Sequence, residues 1–498
     1  LVRHVTPGTR TVLESAMSMT TPRRLAVSVG TYRNRHARRV DAVPPMPGDE
    51  MSDAQSTRSA SVRSESDVYR AVWNTVKGSM GNLVEWFDVY TYTTFAAYFE
   101  DQFFSPDDPH KSIYIYAIFW ATFIMRPFGS WFFGRWADRH GRRSALIMAV
   151  TIMAVGSLVI SVLPTRGTIG VGAPILLLIC RIVQGFATGG EYGTSATYMS
   201  EASTKGHRGF FSSFQYFTLV GGLVTAQAVL LLLSSLMSEA TIHAWGWRIP
   251  FFIGGVAALI VFFMQKTMDE SLSTEHLKSV RSGEDSSSGS LKELFGNHLG
   301  NFLLAFTIAS GGTLCFYVYT VNAPNIVHST FSSTPMAATA VNLIALFILM
   351  LGQPLGGLIG DRIGRKPVLL FFAAGGVVYT WVLVTCLSHA RKPVTAFLML
   401  LMGYIFLTGY TSISAVVKSD LFPTDVRALG VGMAHGFANS LFGGTAPLIY
   451  VWAKQGDAIP AFIGYVTALS AVTLLTILFG LTTRTASHLD APTKGGHD

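Results

Sequence analysis

Apolar positions in this chain do not alternate with polar ones; they come in long runs. From about residue 70 onward, stretches of roughly 20 apolar residues recur between short polar turns, the length a helix needs to cross a bilayer core. The pattern predicts helices over 73–99, 112–136, 145–164, 172–199, 210–236 and 249–266. It predicts six more over 300–328, 336–360, 368–388, 393–418, 427–454 and 460–483. Between the two sets, Gln265 to about His298 is rich in Ser and charge and reads as a linker. The expected fold is therefore all-α and integral to a membrane. Its twelve transmembrane helices form two pseudo-symmetric six-helix halves, 69–266 and 299–484, joined by a cytoplasmic linker over 267–298 and followed by a cytoplasmic tail over 485–498.

Composition agrees. Of 498 residues 50% are hydrophobic and 13% charged, whereas a soluble domain carries charge on about a quarter of its positions. Too little polar surface remains to cover a water-facing globule. The net charge of +8 would suggest nucleic acid in a soluble protein, but here the basic residues sit in short loops and report topology. Arg135, Arg139, Arg142 and Arg143, then Lys205, His207 and Arg208, then Arg362, Arg365 and Lys366 share one side; the acidic stretch from Glu100 to Asp108 lies on the other. That bias places both termini and the linker in the cytoplasm. Cys180, Cys315 and Cys386 lie inside apolar runs without disulfide or metal-ligand spacing. Residues 1–68 are rich in Arg, Ser, Thr and Pro and lack the apolar core of a secretory signal. They read as a disordered or mis-annotated extension, with Met51 the expected start.

The two halves repeat a motif. Gly134-Arg-Trp-Ala-Asp138-Arg139-His140-Gly141-Arg142-Arg143 follows the second predicted span, and Gly357-Leu-Ile-Gly-Asp361-Arg362-Ile363-Gly364-Arg365-Lys366 follows the eighth. Glu201 with Arg208 after the fourth span echoes Asp420 with Arg427 after the tenth, at equal spacing. Paired halves of this kind are the architecture of a rocking transporter, with the substrate held between them near the midplane.

These features resemble the major facilitator superfamily, to which Arg181-Ile-Val-Gln184-Gly185 adds a further element. Gly81-Asn-Leu-Val-Glu85-Trp86-Phe87-Asp88, Arg126-Pro127-Phe-Gly129 and Gly189-Gly190-Glu191-Tyr192 resemble its metabolite:proton symporter family. The segments 190–201, Trp245-Gly-Trp247-Arg248-Ile-Pro250, Leu314-Cys-Phe-Tyr317 and Phe422-Pro-Thr-Asp-Val-Arg427 are similar to those of bacterial α-ketoglutarate permeases. The resemblance covers residues from about 70 to 483 and leaves out the N-terminal extension.

A charge deep in a span costs about 2.5–3.5 kcal/mol on insertion scales, so it needs a partner, water or a role. Arg126 offers a planar fork that fits a carboxylate bidentately; the competing reading is a permanent ion pair to Glu191 or Asp88. Glu85 and Asp88, three residues apart, share a helix face. Two such carboxylates repel, and burial disfavours their charged forms, so the pair can carry a proton. Glu191 is a third candidate, and the resemblance assigns Arg181 to the charge network that couples proton to substrate. Tyr90, Tyr317, Tyr319 and Asn439 are candidate donors to a substrate oxygen, with interhelical packing as the alternative.

The loop charges Asp138, Arg139, Arg142, Glu201 and Arg208, with Asp361, Arg362, Arg365, Asp420 and Arg427 in the second half, are candidate gating residues. Asp138 can accept bonds from helix N-termini across the half interface; the arginines can pair with Glu201 or anchor at lipid headgroups.

The expected function is secondary active transport, a proton-coupled uptake of a small organic anion, α-ketoglutarate or a related dicarboxylate, by alternating access. Citrate, shikimate or proline/betaine are alternatives on the same fold, and a non-transporting membrane sensor is the alternative from another class. Protons are the coupling ion and no other cofactor is expected; the partners are the anion, protons and the inner-membrane bilayer, not nucleic acid, with the chain a monomer. No nucleotide loop, H-E-x-x-H or G-x-S-x-G sits where an enzyme would need it.

Overall fold

The computed structural model describes residues 49–204, 206–283, 287–333, 335–481 and 489. The chain divides into a short unit, Leu1–Ser61, and a large one, Val62–Asp498, which holds the candidate site. Residues 1–48 of the expected extension, Lys205 and nearly all of the expected tail lie outside the described residues. Residues 49–68, grouped with the extension on composition, are helical.

The described residues are helical without strands. In the first half these are α1 Asp49–Phe103, α2 Lys111–Ile124, α3 Arg126–His140, α4 Arg142–Ser161, α5 Gly172–Glu201, α6 Arg208–Leu236 and α7 Arg248–Lys266. In the second they are α8 Leu299–Tyr317, α9 Ala323–Thr330, α10 Pro335–Ile363, α11 Arg365–Leu387, α12 Pro393–Thr411, α13 Ser414–Asp420, α14 Arg427–Ala438, α15 Ala446–Gln455 and α16 Ile459–Gly480. The linker is not featureless: it contains short helices at Thr274–Ser282 and Leu291–Asn297.

Nine helical stretches among the described residues are long and apolar enough to cross a membrane. They correspond to the expected spans except the first, second and eleventh. All three are helical where expected, but each departs from an uninterrupted apolar rod. The first carries Glu85 and Asp88 within α1. The second breaks at Met125, ahead of Pro127, whose missing N–H leaves the Phe123 carbonyl without its helical partner. The eleventh is divided by a π-turn at Asn439–Gly443 between α14 and α15; a second π-turn, Val318–Asn322, separates α8 from α9. The interrupted spans bear Arg126, Tyr317, His435 and Asn439, while Glu85, Asp88, Arg181 and Glu191 lie in continuous helices. Such turns concentrate at functional sites.

Close packing of α3 on α5 places Arg126. A side chain at Gly185 would meet Thr122 backbone, at Gly189 the backbone of Arg126, and at Gly193 the backbone of Gly432 across the half interface. Small residues every fourth position let helices approach without a hydrophobic drive between them.

Candidate functional site

Two sets of polar residues hold the halves together, one at the end that carries the repeated motif and one deep between the helices. At the motif end, Gly134 brings α3 against the backbone of Leu429, and Asp138 accepts the N–H groups of Ala428 and Leu429 at 3.0 and 2.9 Å. Those groups belong to the first turn of α14, where helix N–H donors lack helical acceptors. The second copy repeats the geometry. Gly357 meets the backbone of Gly209, and Asp361 accepts the N–H groups of Gly209 and Phe210 at 2.7 and 2.9 Å, at the start of α6. Gly141 and Gly364 turn the chain between helices at φ 102° and 93°, a region that favours glycine. This accounts for the glycine and aspartate positions of the motif.

Around Asp138 the arginine of the same motif turns inward. Arg142 is fully buried, pairs with Asp138, and reaches Glu201 and the Thr424 carbonyl, both at 3.2 Å. Of the roles open to Arg142, pairing with Glu201 is observed and a headgroup anchor is not. Glu201 also receives Arg427 at 2.7 Å, an ion pair across the halves. In the second copy Arg365 pairs with Asp420. The equal spacing of Glu201–Arg208 and Asp420–Arg427 therefore marks equivalent positions, while Glu201 holds Arg427 of the opposite half together with Arg142 of its own. Arg208 donates to the Leu489 carbonyl at 3.0 Å, Arg139 to the Ser288 carbonyl at 2.7 Å, and Arg362 is exposed. Burial pushes Asp138 up to about 6, against the opposing pull of Arg142 and the two backbone N–H groups.

Deep between the helices, Asp88 is paired with Arg181 at 2.8 Å and accepts Ser157 Oγ at 2.6 Å. Arg181 lies over the Tyr92 ring at 4.1 Å. Asp88 is thereby removed as the partner of Arg126 and as one of two free carboxylates on the α1 face. Arg126 is buried against the rings of Phe123 and Trp86, 4.2 and 5.1 Å away, and its Nε and one terminal nitrogen have no acceptor. Among the described residues no carboxylate lies within ion-pair distance of it, so neither proposed internal salt bridge is present. Glu85 lies within electrostatic reach of both Glu191 and Arg126. One carboxylate oxygen of Glu85 and one of Glu191 are buried without a hydrogen bond; Glu191 faces Gly81 and Gln265.

The tyrosines separate. Tyr90 and Tyr317 lie near Arg126, the Tyr317 hydroxyl within reach of the guanidinium and the Tyr90 hydroxyl within reach of Thr320. Asn439 and Tyr317 flank Gly443 together. Tyr319 is turned away: its hydroxyl bonds Thr380 Oγ1 at 2.9 Å inside the second half, so it packs helices and does not face Arg126.

Lys418 and His435, not among the candidates named from the sequence, also belong to the site. Lys418, wholly buried on α13, donates to the Tyr192 hydroxyl at 2.6 Å and lies 3.5 Å from His435 Nδ1. His435 stacks on Tyr192 and reaches Asn439 at 3.5 Å. A polar row thus runs from Tyr192 through Lys418, His435 and Asn439 to Tyr317. Its signal in the sequence is a lysine inside a predicted apolar span.

A helical bundle of two halves, latched at one end by a repeated motif with unpaired polar groups at its centre, is the form of a transporter. The profile of the sugar (and other) transporter family matches residues 74–278 and 265–490. The chain belongs to this family, within the major facilitator superfamily. It is 39% identical over 427 residues to the α-ketoglutarate permease of Escherichia coli (strain K12), covering 85% of this chain and 97% of that protein. It is 29% identical over 400 residues to the citrate-proton symporter of Klebsiella pneumoniae, covering 79% and 87%. Among solved structures, the proton:xylose symporter XylE bound to 6-bromo-6-deoxy-D-glucose superimposes with TM-score 0.71 at 18% identity, over 83% of this chain and 95% of that one. Family membership makes this chain a multi-pass membrane transporter and not an enzyme.

Proposed function

We propose that this transporter carries a small organic anion inward together with protons, with α-ketoglutarate or a related dicarboxylate as substrate. The observation that supports this most is Arg126, a buried guanidinium at the half interface with two nitrogens lacking acceptors. A guanidinium is always charged, and its fork matches a carboxylate. Buried polar groups normally have partners, so such a fork is a binding site for an anion from outside the protein.

Glu85 and Glu191 supply the coupling. Two buried carboxylates within reach of each other, with Arg126 in reach of Glu85, cannot both remain charged cheaply once the anion occupies that cation. Proton uptake by one of them relieves the repulsion and gives substrate entry a proton requirement. The motif end faces the cytoplasm in this reading, because its basic loops follow the positive-inside bias. Closed there by Asp138 and Asp361, the protein is in a state from which substrate is taken up on the other side.

The test is a binding titration and vesicle uptake on wild type, Arg126→Lys, Arg126→Gln and Arg126→Gln paired with Glu191→Gln. Lys keeps the charge and loses the fork; losing one charge-assisted bond of ~1.5–3 kcal/mol weakens affinity roughly tenfold to a hundredfold. Near-normal affinity in the Lys variant, or rescue in the double variant, would move Arg126 from the substrate site to the scaffold. In proteoliposomes an inward proton gradient should drive accumulation and a protonophore abolish it. Labelled succinate, citrate, shikimate and proline, offered beside 2-oxoglutarate, test the substrate assignment.

A further inference from the structure

Arg208, buried at the motif end, donates to the Leu489 carbonyl; the other buried cations of the described core fall into two groups. Arg142, Arg181 and Arg427 each hold a carboxylate of the protein. For Arg126 and Lys418 no protein carboxylate lies within ion-pair distance among the described residues, and the two come from opposite halves. Lys418 is wholly buried, and an ammonium so placed without a counter-charge is costly. Its present neighbours soften that cost without cancelling the charge: the Tyr192 hydroxyl at 2.6 Å, the Tyr192 ring at 4.3 Å and His435 Nδ1 at 3.5 Å. Arg126 and Lys418 are both within electrostatic reach of His435, and Asn439 and Tyr317 continue the polar row from His435 toward Arg126.

We propose that Lys418 is a second carboxylate anchor, contributed by the opposite half from Arg126, and that it selects substrates carrying two carboxylates. This rests on the reading of Arg126 as the first anchor. A monocarboxylate neutralises one of the two orphan cations; a dicarboxylate neutralises both. Because one anchor sits on each half, the dianion ties the halves together, whereas a monoanion is held by the first half alone. Tyr192, on the first half, keeps the place of the second carboxylate by accepting the lysine's bond until the anion arrives. Lys418 supplies up to three donors, so Tyr192 need not leave when the carboxylate binds.

The experiment compares two ligands of equal carbon count, 2-oxoglutarate and 2-oxopentanoate, which lacks the second carboxylate. Their dissociation constants are measured by calorimetry on detergent-solubilised wild type, Lys418→Met and Lys418→Arg. Wild type should prefer the dicarboxylate by at least about tenfold, the value of one charge-assisted bond. Lys418→Met should lose that preference through weaker 2-oxoglutarate binding alone, and Lys418→Arg should keep part of it. Retained 2-oxopentanoate binding in the Met variant shows that the protein is folded and the first anchor intact.

Equal wild-type affinity for the two ligands overturns the proposal, and this measurement needs no variant to fold. So does an equal fall for both ligands in Lys418→Met, which would make the lysine a strut between halves. If wild type binds neither ligand, the carboxylate reading of Arg126 fails first and the second anchor with it. That outcome is distinct from an intact first anchor without selectivity.

Discussion

Asp138 and Asp361 occupy the same place in two copies of one motif and make the same two backbone bonds, yet their surroundings differ. Asp138 is sealed from solvent, while Asp361 is half-buried. Arg142 is fully buried, whereas the side chain of its counterpart Arg365 is 26% exposed. The cause is the linker. Glu270 accepts the N–H groups of Arg142 and Arg143 at 2.8 and 3.1 Å, Ser271 donates to Glu201 at 2.6 Å, and Ser288 receives Arg139. The segment between the halves folds back over the first motif and excludes water from it. Electrostatic bonds of the same geometry are stronger where water is absent, so the first latch should carry most of the closure. A repeated motif thus does not imply a repeated energy.

The comparison breaks most sharply at Glu201, where two buried guanidiniums share one carboxylate. Glu201→Gln leaves Arg142 and Arg427 without it, and breaking a buried ion pair by removing one partner costs about 3–5 kcal/mol. Spin labels at His140→Cys and Ile363→Cys, in a background lacking the native cysteines, report the separation of the halves at the motif end. The short-distance population should fall by a hundredfold or more relative to the open one. An unchanged distance distribution would show that Glu201 takes no part in closure.

Much of this was legible in the sequence, for physical reasons that can be named. Long apolar runs must be helices in lipid, and a twice-repeated pattern of Gly, Asp and Arg exposes the latch. Arg126, Glu85 and Glu191 stand out as charges in apolar surroundings. What the sequence conceals is direction. Tyr317 and Tyr319 are two residues apart and so point to different sides of a helix, and only the first meets Arg126. Lys418 is the last residue of the run predicted over 393–418, where its depth does not show in the sequence. It is buried because α12 ends at Thr411 and α13 restarts at Ser414, carrying the lysine between the halves. The Glu201–Arg427 pair joins residues 226 apart, which spacing within one half cannot reveal.

Asp138 offers the second test, together with a sign. Asp138→Asn loses the ion pair to Arg142 and keeps only one of two acceptors, so closure should weaken by roughly tenfold at pH 7, about 1.4 kcal/mol. Substrate affinity should change far less than uptake rate, because the residue is remote from Arg126. Proportional losses in both would remove it from gating. In wild type the closed form holds the Asp138 proton up to about 6, whereas an open, hydrated carboxyl would return toward its ordinary 3.8. The closed form therefore binds more protons between these values, and acidification through pH 6 should favour closure, by about tenfold at pH 5. Raising the pH above 6 removes that contribution. The same label pair measured from pH 7.5 to pH 5 gives the slope, and Asp138→Asn should flatten it.

Asp361→Asn should have the smallest effect of the series. Its carboxylate accepts two N–H groups at the start of α6, a position where a negative charge is worth about 0.3–1 kcal/mol when solvent is near. Asn can keep one of the two bonds through its carbonyl oxygen, and water can reach the half-buried site to serve the other. Closure should weaken by roughly twofold to fivefold. Measuring Asp361→Asn and Asp138→Asn side by side on the same label pair decides what sets the strength of the latch. If the two variants open the motif end equally, the shared backbone geometry governs closure and the linker's cover adds nothing. If Asp361→Asn opens it more, the second copy is the principal lock despite its exposure. A smaller effect at Asp361, made equal to that at Asp138 when Glu270→Ala uncovers the first motif, would assign the difference to the linker.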